Sequence, residues 1–132
     1  MRRHLLHILA PAVMAGAVAG EEAAPRLALP SGLEARFHER LRDVAAAGEV
    51  VRFRFVASAF SDSMPFETVM ADLEYLCTEF VVPRVRSGGA VPDRVIISLA
   101  DKPAEFGVFD PETDQVFEAY RIEDGACIWE MF

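Results

Sequence analysis

Histidine is almost missing from this chain. There are three in 132 residues, and His4 and His7 fall in the first nineteen, which leaves His38 as the one imidazole of the remainder. That scarcity excludes the histidine-rich zinc centres, which need several ligands. Cysteine is nearly as rare, with Cys77 and Cys127 and no C-x-x-C spacing. No P-loop, no G-x-G-x-x-G, no H-E-x-x-H and no G-x-S-x-G occurs, so phosphate cradles, dinucleotide turns, zincin helices and nucleophile elbows are absent as motifs. The longest apolar stretch, Leu5 to Val18, is fourteen residues broken by Pro11. It falls short of the roughly 20 residues that span a bilayer.

What does stand at the start is a basic pair, Arg2 and Arg3, then that apolar stretch, then Ala17-Val18-Ala19 before Gly20. Basic start, short apolar core and A-x-A end make a secretory signal peptide over 1–19, with cleavage after Ala19. Arg2-Arg3 suits both a twin-arginine signal and an ordinary positive start. No cysteine lies near the cleavage site, so no lipid anchor is expected and no stable membrane anchor remains after cleavage. Export places the mature chain in the periplasm.

Residues 20–132 keep 11 basic against 21 acidic side chains, a net charge near −10. Such a field repels phosphate backbones and anionic headgroups, so no nucleic-acid partner is expected. The length suits one domain with one core, and ten phenylalanines in the chain supply apolar volume for it. Residues 20–32, with Glu21, Glu22, Pro25, Pro30 and Gly32, read as a flexible leader into a single domain over 33–132. In an oxidising compartment an even cysteine count predicts a Cys77–Cys127 disulfide. Closing a loop of about 50 residues is worth roughly 4 kcal/mol in the chain-entropy account.

Between 33 and 44 the pattern fits two templates. Leu33, Ala35, Phe37 and Leu41 suit a strand, while Leu33, Phe37, Leu41 and Val44 suit a helix face; a strand through about Leu41 can pair with the next segment. Val50 to Ala57 is the clearest strand: Val51, Phe53, Phe55 and Ala57 point one way, Arg52 and Arg54 towards a wet face. Asp62-Ser63-Met64-Pro65 predicts a side-chain-capped helix start. Phe66, Val69, Met70, Leu73, Leu76, Cys77 and Phe80 follow as a core-facing stripe, and Pro83 is expected to stop the helix. Arg94 to Leu99 reads as a β-branched strand. Gln115 to Ile122 and Ala126 to Phe132 form a hairpin about Asp124-Gly125. A two-residue turn pairs Ile122 with Cys127 and Tyr120 with Trp129, and a three-residue loop shifts that register. The expected fold is α+β, in the order β-β-α-β-β-β: a small antiparallel sheet covered on one face by one helix and stapled by the disulfide.

Few residues invite chemistry. His38 among Phe37, Glu39 and Arg40 reads as a solvated side chain. Asp62, Asp72, Glu74, Glu105, Glu118 and Glu130 could furnish paired carboxylates, but their positions read as water-facing. No catalytic, cofactor-binding or metal-ligating residue is assigned, and no cofactor. Arg52 and Arg54 are the candidate contact surface: on a wet sheet face they could meet Glu118 or Glu130 across strands or take an anionic ligand. As exposed groups, their replacement by alanine is expected to leave stability nearly unchanged.

Val51-Arg52-Phe53-Arg54-Phe55-Val56-Ala57, Asp72-Leu73-Glu74-Tyr75-Leu76-Cys77, Val95-Ile96-Ile97-Ser98-Leu99 and the run from Phe117 to Glu130 resemble a family of small exported Gram-negative bacterial proteins of unknown function. The resemblance covers nearly all of the mature domain and supplies no catalytic residue. Some relatives bear an acetolactate synthase label, which these residues do not support. Such enzymes resemble multi-domain thiamine-diphosphate binders several times this length, and no cofactor cradle occurs here. The function expected is a non-catalytic binding or accessory module for another periplasmic protein or membrane complex. A small enzyme with an acid–base site outside known motifs and an acidic, inhibitor-like module are the alternatives.

Overall fold

The computed structural model describes residues 25–46 and 48–131. The expected signal peptide over 1–19 and residues 20–24 of the expected leader lie outside these described residues. Six strands form one sheet in chain order: β1 (Arg26–Ala28), β2 (Glu34–Ala45), β3 (Gly48–Val56), β4 (Arg94–Ala100), β5 (Gln115–Glu123) and β6 (Ala126–Glu130). Between β3 and β4 runs a helical segment made of α1 (Phe66–Tyr75), a π-helical turn (Leu76–Val81) and α2 (Val82–Ser87). The α+β expectation with one helix over the sheet holds.

Two expectations are refined. Part of the leader belongs to the sheet: Arg26–Ala28 pairs with Glu34–Arg36, and Leu29 is buried. The sheet is also mixed. Four strand pairs are antiparallel, but β3 and β4 run parallel, Val51 beside Val95 and Phe55 beside Leu99. A helix crossover carries the chain back to the starting end of β3, and so makes parallel neighbours where a tight hairpin would make antiparallel ones.

The double reading of 33–44 has a structural cause. β2 is a strand, with a bulge between Phe37 and Glu39. Phe37 pairs with Phe55 and Arg40 with Phe53, so two residues three apart share one face. The extra residue resets the alternation and imitates helical spacing.

The helix begins without the expected side-chain cap. Pro65 is the N-cap, and its carbonyl accepts the Val69 N–H at 3.1 Å. Asp62 is engaged elsewhere, donating its backbone N–H to Asp114 Oδ2 at 3.2 Å. Pro83 does not end the helix either. The wider π turn just before it relaxes the i→i−4 ladder that a proline would otherwise break, and Pro83 sits in the first turn of α2, where its missing N–H costs little. Arg84 Nη1–H donates to the Phe80 carbonyl at 2.8 Å, and its guanidinium stacks over the Phe80 ring. The π turn also rephases the buried stripe, bringing Val81 and Val85 to the core after Leu76 and Cys77.

The core fills the space between helix and sheet. Val51, Phe53 and Phe55 from β3, Val95, Ile97 and Leu99 from β4, and Tyr120 from β5 meet Leu73, Leu76, Phe80 and Val81. Phe80 contacts Phe37, Phe53 and Phe55 at ring-centroid distances of 5.1, 6.4 and 5.2 Å. One carboxylate joins this layer: Asp72 on α1 is fully buried and accepts the Ser31 N–H (2.9 Å) and Oγ–H (2.5 Å), which tie the helix to the β1–β2 turn.

The second sheet face is not simply wet. The 101–114 connection folds across it, held at its base by Asp101 N–H to the Asp114 carbonyl and Asp114 N–H to Asp101 Oδ1, both 3.1 Å. Val56, Ile96, Ser98 and Ala119 on this face are buried.

The cysteines are joined as expected. Cys77 in the π turn and Cys127 on β6 form a disulfide with their Cα atoms 6.3 Å apart, fastening the helix to the last strand. Among the described residues, no helix is long and apolar enough to cross a membrane.

Candidate functional site

Arg54, expected at the surface, is 4% exposed. It forms an ion pair with Glu39, and its Nη2–H donates to the Ala104 carbonyl at 2.8 Å. The ring of Phe106 closes over it. Its partners come from the neighbouring strand and from the covering loop, so this guanidinium is part of the packing on that side. Neither Glu118 nor Glu130 reaches it. Glu118 pairs in register with Ile97 and so faces the helix side, while Glu130 takes Arg94 at 2.9 Å and Arg121 at 3.1 Å.

Arg52 keeps more of the expected character. It is half-buried, with its guanidinium over Phe106 (4.9 Å) and near Phe117 (5.6 Å). Burial, and then the nearby Arg54, lower its pKa. Among the described residues no carboxylate stands within ion-pair distance of it. It borders a hollow of about 440 Å³ with Leu41, Ile96 and Phe106.

The acidic residues separate into different environments. Asp72 is the buried clamp described above, not a water-facing group. Asp62 and Glu105 are exposed. His38 stands exposed at the β2 bulge, beside a shallow hollow shared with Arg36 and Pro103. Among the described residues, no group of three or more histidine, cysteine, aspartate or glutamate side chains is placed to hold a metal ion.

A larger hollow lies elsewhere, between α1 and the edge strand β6. It measures about 550 Å³, with Phe66, Glu67, Met70, Ala71 and Glu74 along the helix and Cys127, Ile128 and Trp129 along the strand. Tyr120 of β5 forms the floor. It is 1% exposed, and its hydroxyl has no hydrogen-bond partner. An unpaired buried hydroxyl costs about 1–3 kcal/mol, and no bond within the described residues offsets it. Burial pushes the Tyr120 phenol well above its ordinary pKa, and Glu118 and Glu74 push it further. Glu118 also accepts the Trp129 indole N–H at 2.9 Å, which holds that ring on the helix side of β6.

Reading the sequence by motif does not find this groove, because no motif defines it. One signal does point to it: Phe66, Met70, Glu74 and Cys77 follow one another on a single helix face, and the staple at Cys77 lays that face beside Cys127 and Trp129. Tyr120 then falls beneath, since Ile122 pairs with Cys127 and Tyr120 with Trp129. Of the carboxylates singled out in the sequence, Glu74 and Glu118 come to this place, while Arg52 and Arg54 lie on the opposite side of the sheet.

No curated protein and no solved structure matches the chain. A family model does match, over residues 9–132 and hence over every described element. The chain belongs to the family of unknown function DUF6497.

Proposed function

We propose that the protein is an exported, periplasmic binding or accessory module without catalysis of its own, and that it holds its ligand in the groove between α1 and β6. The observation that carries this reading is the groove itself, floored by the buried Tyr120 and walled by the exposed Phe66 and Trp129 beside Glu67 and Glu74. Concave, mostly apolar sites with a few converging polar groups are where ligands bind, and this groove offers one hydroxyl and the carboxylates of Glu67 and Glu74 among Phe66, Met70 and Trp129. Export is supported by the signal pattern of residues 1–19 and by a disulfide of the kind that persists outside reducing compartments.

The test compares the oxidised protein with an Ala71→Arg variant, which fills the groove from an exposed helix position. Partner capture from periplasmic extract, repeated with the purified partner, should be lost in the variant while the thermal midpoint stays put. Equal binding by both proteins removes the groove from consideration. Turnover of a substrate that disappears on replacing His38 or one carboxylate overturns the non-catalytic reading, and recovery of the chain in the cytoplasm with Met1 intact overturns the compartment.

A second contact surface is favoured by one observation. Arg52 is a half-buried cation without a carboxylate partner, flanked by Phe106 and Ile96, and it suits an anionic group on a partner. Arg52→Ala should then weaken capture while Ala71→Arg does not.

A further inference from the structure

Resting on the groove reading, we infer that the occupant is an extended basic segment of a partner polypeptide, which adds to the outer edge of β6 as a further strand and sets a lysine or arginine side chain between Trp129, Tyr120 and Glu74.

The backbone supplies the first argument. β6 pairs with β5 alone and is one margin of the sheet. The hairpin turn is the two-residue type, with Asp124 at φ 51° and Gly125 at φ 78°, and Glu123 opposite Ala126. Such a turn makes Glu123 and Ala126 a hydrogen-bonded pair. Antiparallel ladders alternate, so Arg121 and Ile128 exchange bonds next, while Cys127 and Trp129 turn their N–H and C=O groups outward. Both of these outward-facing residues also line the groove. An incoming strand therefore meets the backbone donors and acceptors and the hollow at the same positions, the arrangement on which strand addition depends.

The other margin shows what a protected edge looks like in this chain. β1 is three residues long, lies between Pro25 and Pro30, and carries the Arg26–Glu34 ion pair across to β2. Charge and proline of that kind discourage pairing. β6 instead runs on into Met131, 78% exposed, with Ile128 and Trp129 also exposed.

Charge selects the partner. Glu67 and Glu74 stand along the helix side of the groove and Glu118 lies beside Trp129, within a chain of net charge −8. A cationic head on an apolar stem fits all of them: the stem against Phe66 and Met70, the head over the indole face and towards the glutamates.

The experiment uses the full, oxidised chain and reads Trp129, the one tryptophan, by fluorescence, with amide exchange at Cys127 and Trp129 as a second readout. A capped peptide of alternating valine and lysine should saturate the signal, protect both amides and bind more weakly as salt rises. Glu67→Gln with Glu74→Gln should weaken it about tenfold, and N-methylation of alternate peptide amides should abolish it. The inference is overturned if the valine–glutamate counterpart binds equally well, if spermidine alone reproduces the full effect, or if the valine–lysine peptide fails to bind. Should that failure coincide with partner capture that still depends on Ala71, the groove reading stands and only the basic-strand assignment falls.

Discussion

On the side of the sheet away from the helix, Arg54 is buried with Glu39, the Ala104 carbonyl and the Phe106 ring all turned to it. On the helix side Tyr120 is just as buried beneath the α1–β6 groove, yet its hydroxyl bonds to nothing. Both polar groups carry a desolvation cost, and only the first recovers it within the chain. The difference separates a polar group that holds the fold from one that gains nothing within it. Asp72, with Ser31 on both oxygens, belongs with Arg54.

That comparison can be broken at several points. The largest effect should come from Cys77→Ala with Cys127→Ala. Reopening a loop of 50 residues costs about 4 kcal/mol in the chain-entropy account, read in urea unfolding, and it frees the helix wall of the groove from β6. Next comes Arg54→Met, expected to cost about 2–3 kcal/mol because it strands Glu39 and the Ala104 carbonyl. Glu39 is partly exposed, which keeps the loss below that of a fully buried pair. A change within about 0.5 kcal/mol, the size of an ordinary surface substitution, would return Arg54 to the solvated role expected from its place in the strand pattern.

Tyr120 should show itself in alkali. Its ordinary pKa of 10.0 is raised in the fold. Below pH 10 the phenol is neutral folded and unfolded, and stability is unaffected. Above it the unfolded chain ionises while the folded chain stays protonated, so stability falls by up to about 1.4 kcal/mol per pH unit. Melting curves from pH 9 to 11 should show a steeper decline for the parent than for Tyr120→Phe. At neutral pH the same substitution should be neutral or stabilising by up to about 1 kcal/mol, since it deletes an unpaired hydroxyl, while weakening ligand binding. A large destabilisation would mean that the hydroxyl already has a partner in the fold. The smallest effect is expected for Arg52→Ala, under about 1 kcal/mol on unfolding, with any loss appearing in partner capture.

Much of the frame was legible along the chain. Aromatic and β-branched residues at period two located β3 and β4, an apolar stripe located α1, and Asp-Gly located the final hairpin, because each is a local preference repeated over several residues. The site was less legible. Arg52 and Arg54 stand two apart and read alike, and both guanidiniums meet Phe106, but Arg54 alone is buried, held by Glu39 and by the Ala104 carbonyl fifty residues further on. The segment around Phe37 resisted a single reading because a bulge mixes the two periods.

The sequence by itself determined the strands β3 and β4, the stripe of α1, the final hairpin, the pairing of Cys77 with Cys127, and the acidic balance of the protein, since these follow from neighbours in the chain and from composition. Only the tertiary structure decided that β3 and β4 run parallel, that a π turn carries the helix through Pro83, that a loop seals Arg54, and that Tyr120 is left without a partner beneath an open strand edge. Each of those depends on segments tens of residues apart meeting in space. Whether a buried polar group finds a partner is settled at that meeting, by which atoms arrive within hydrogen-bond reach.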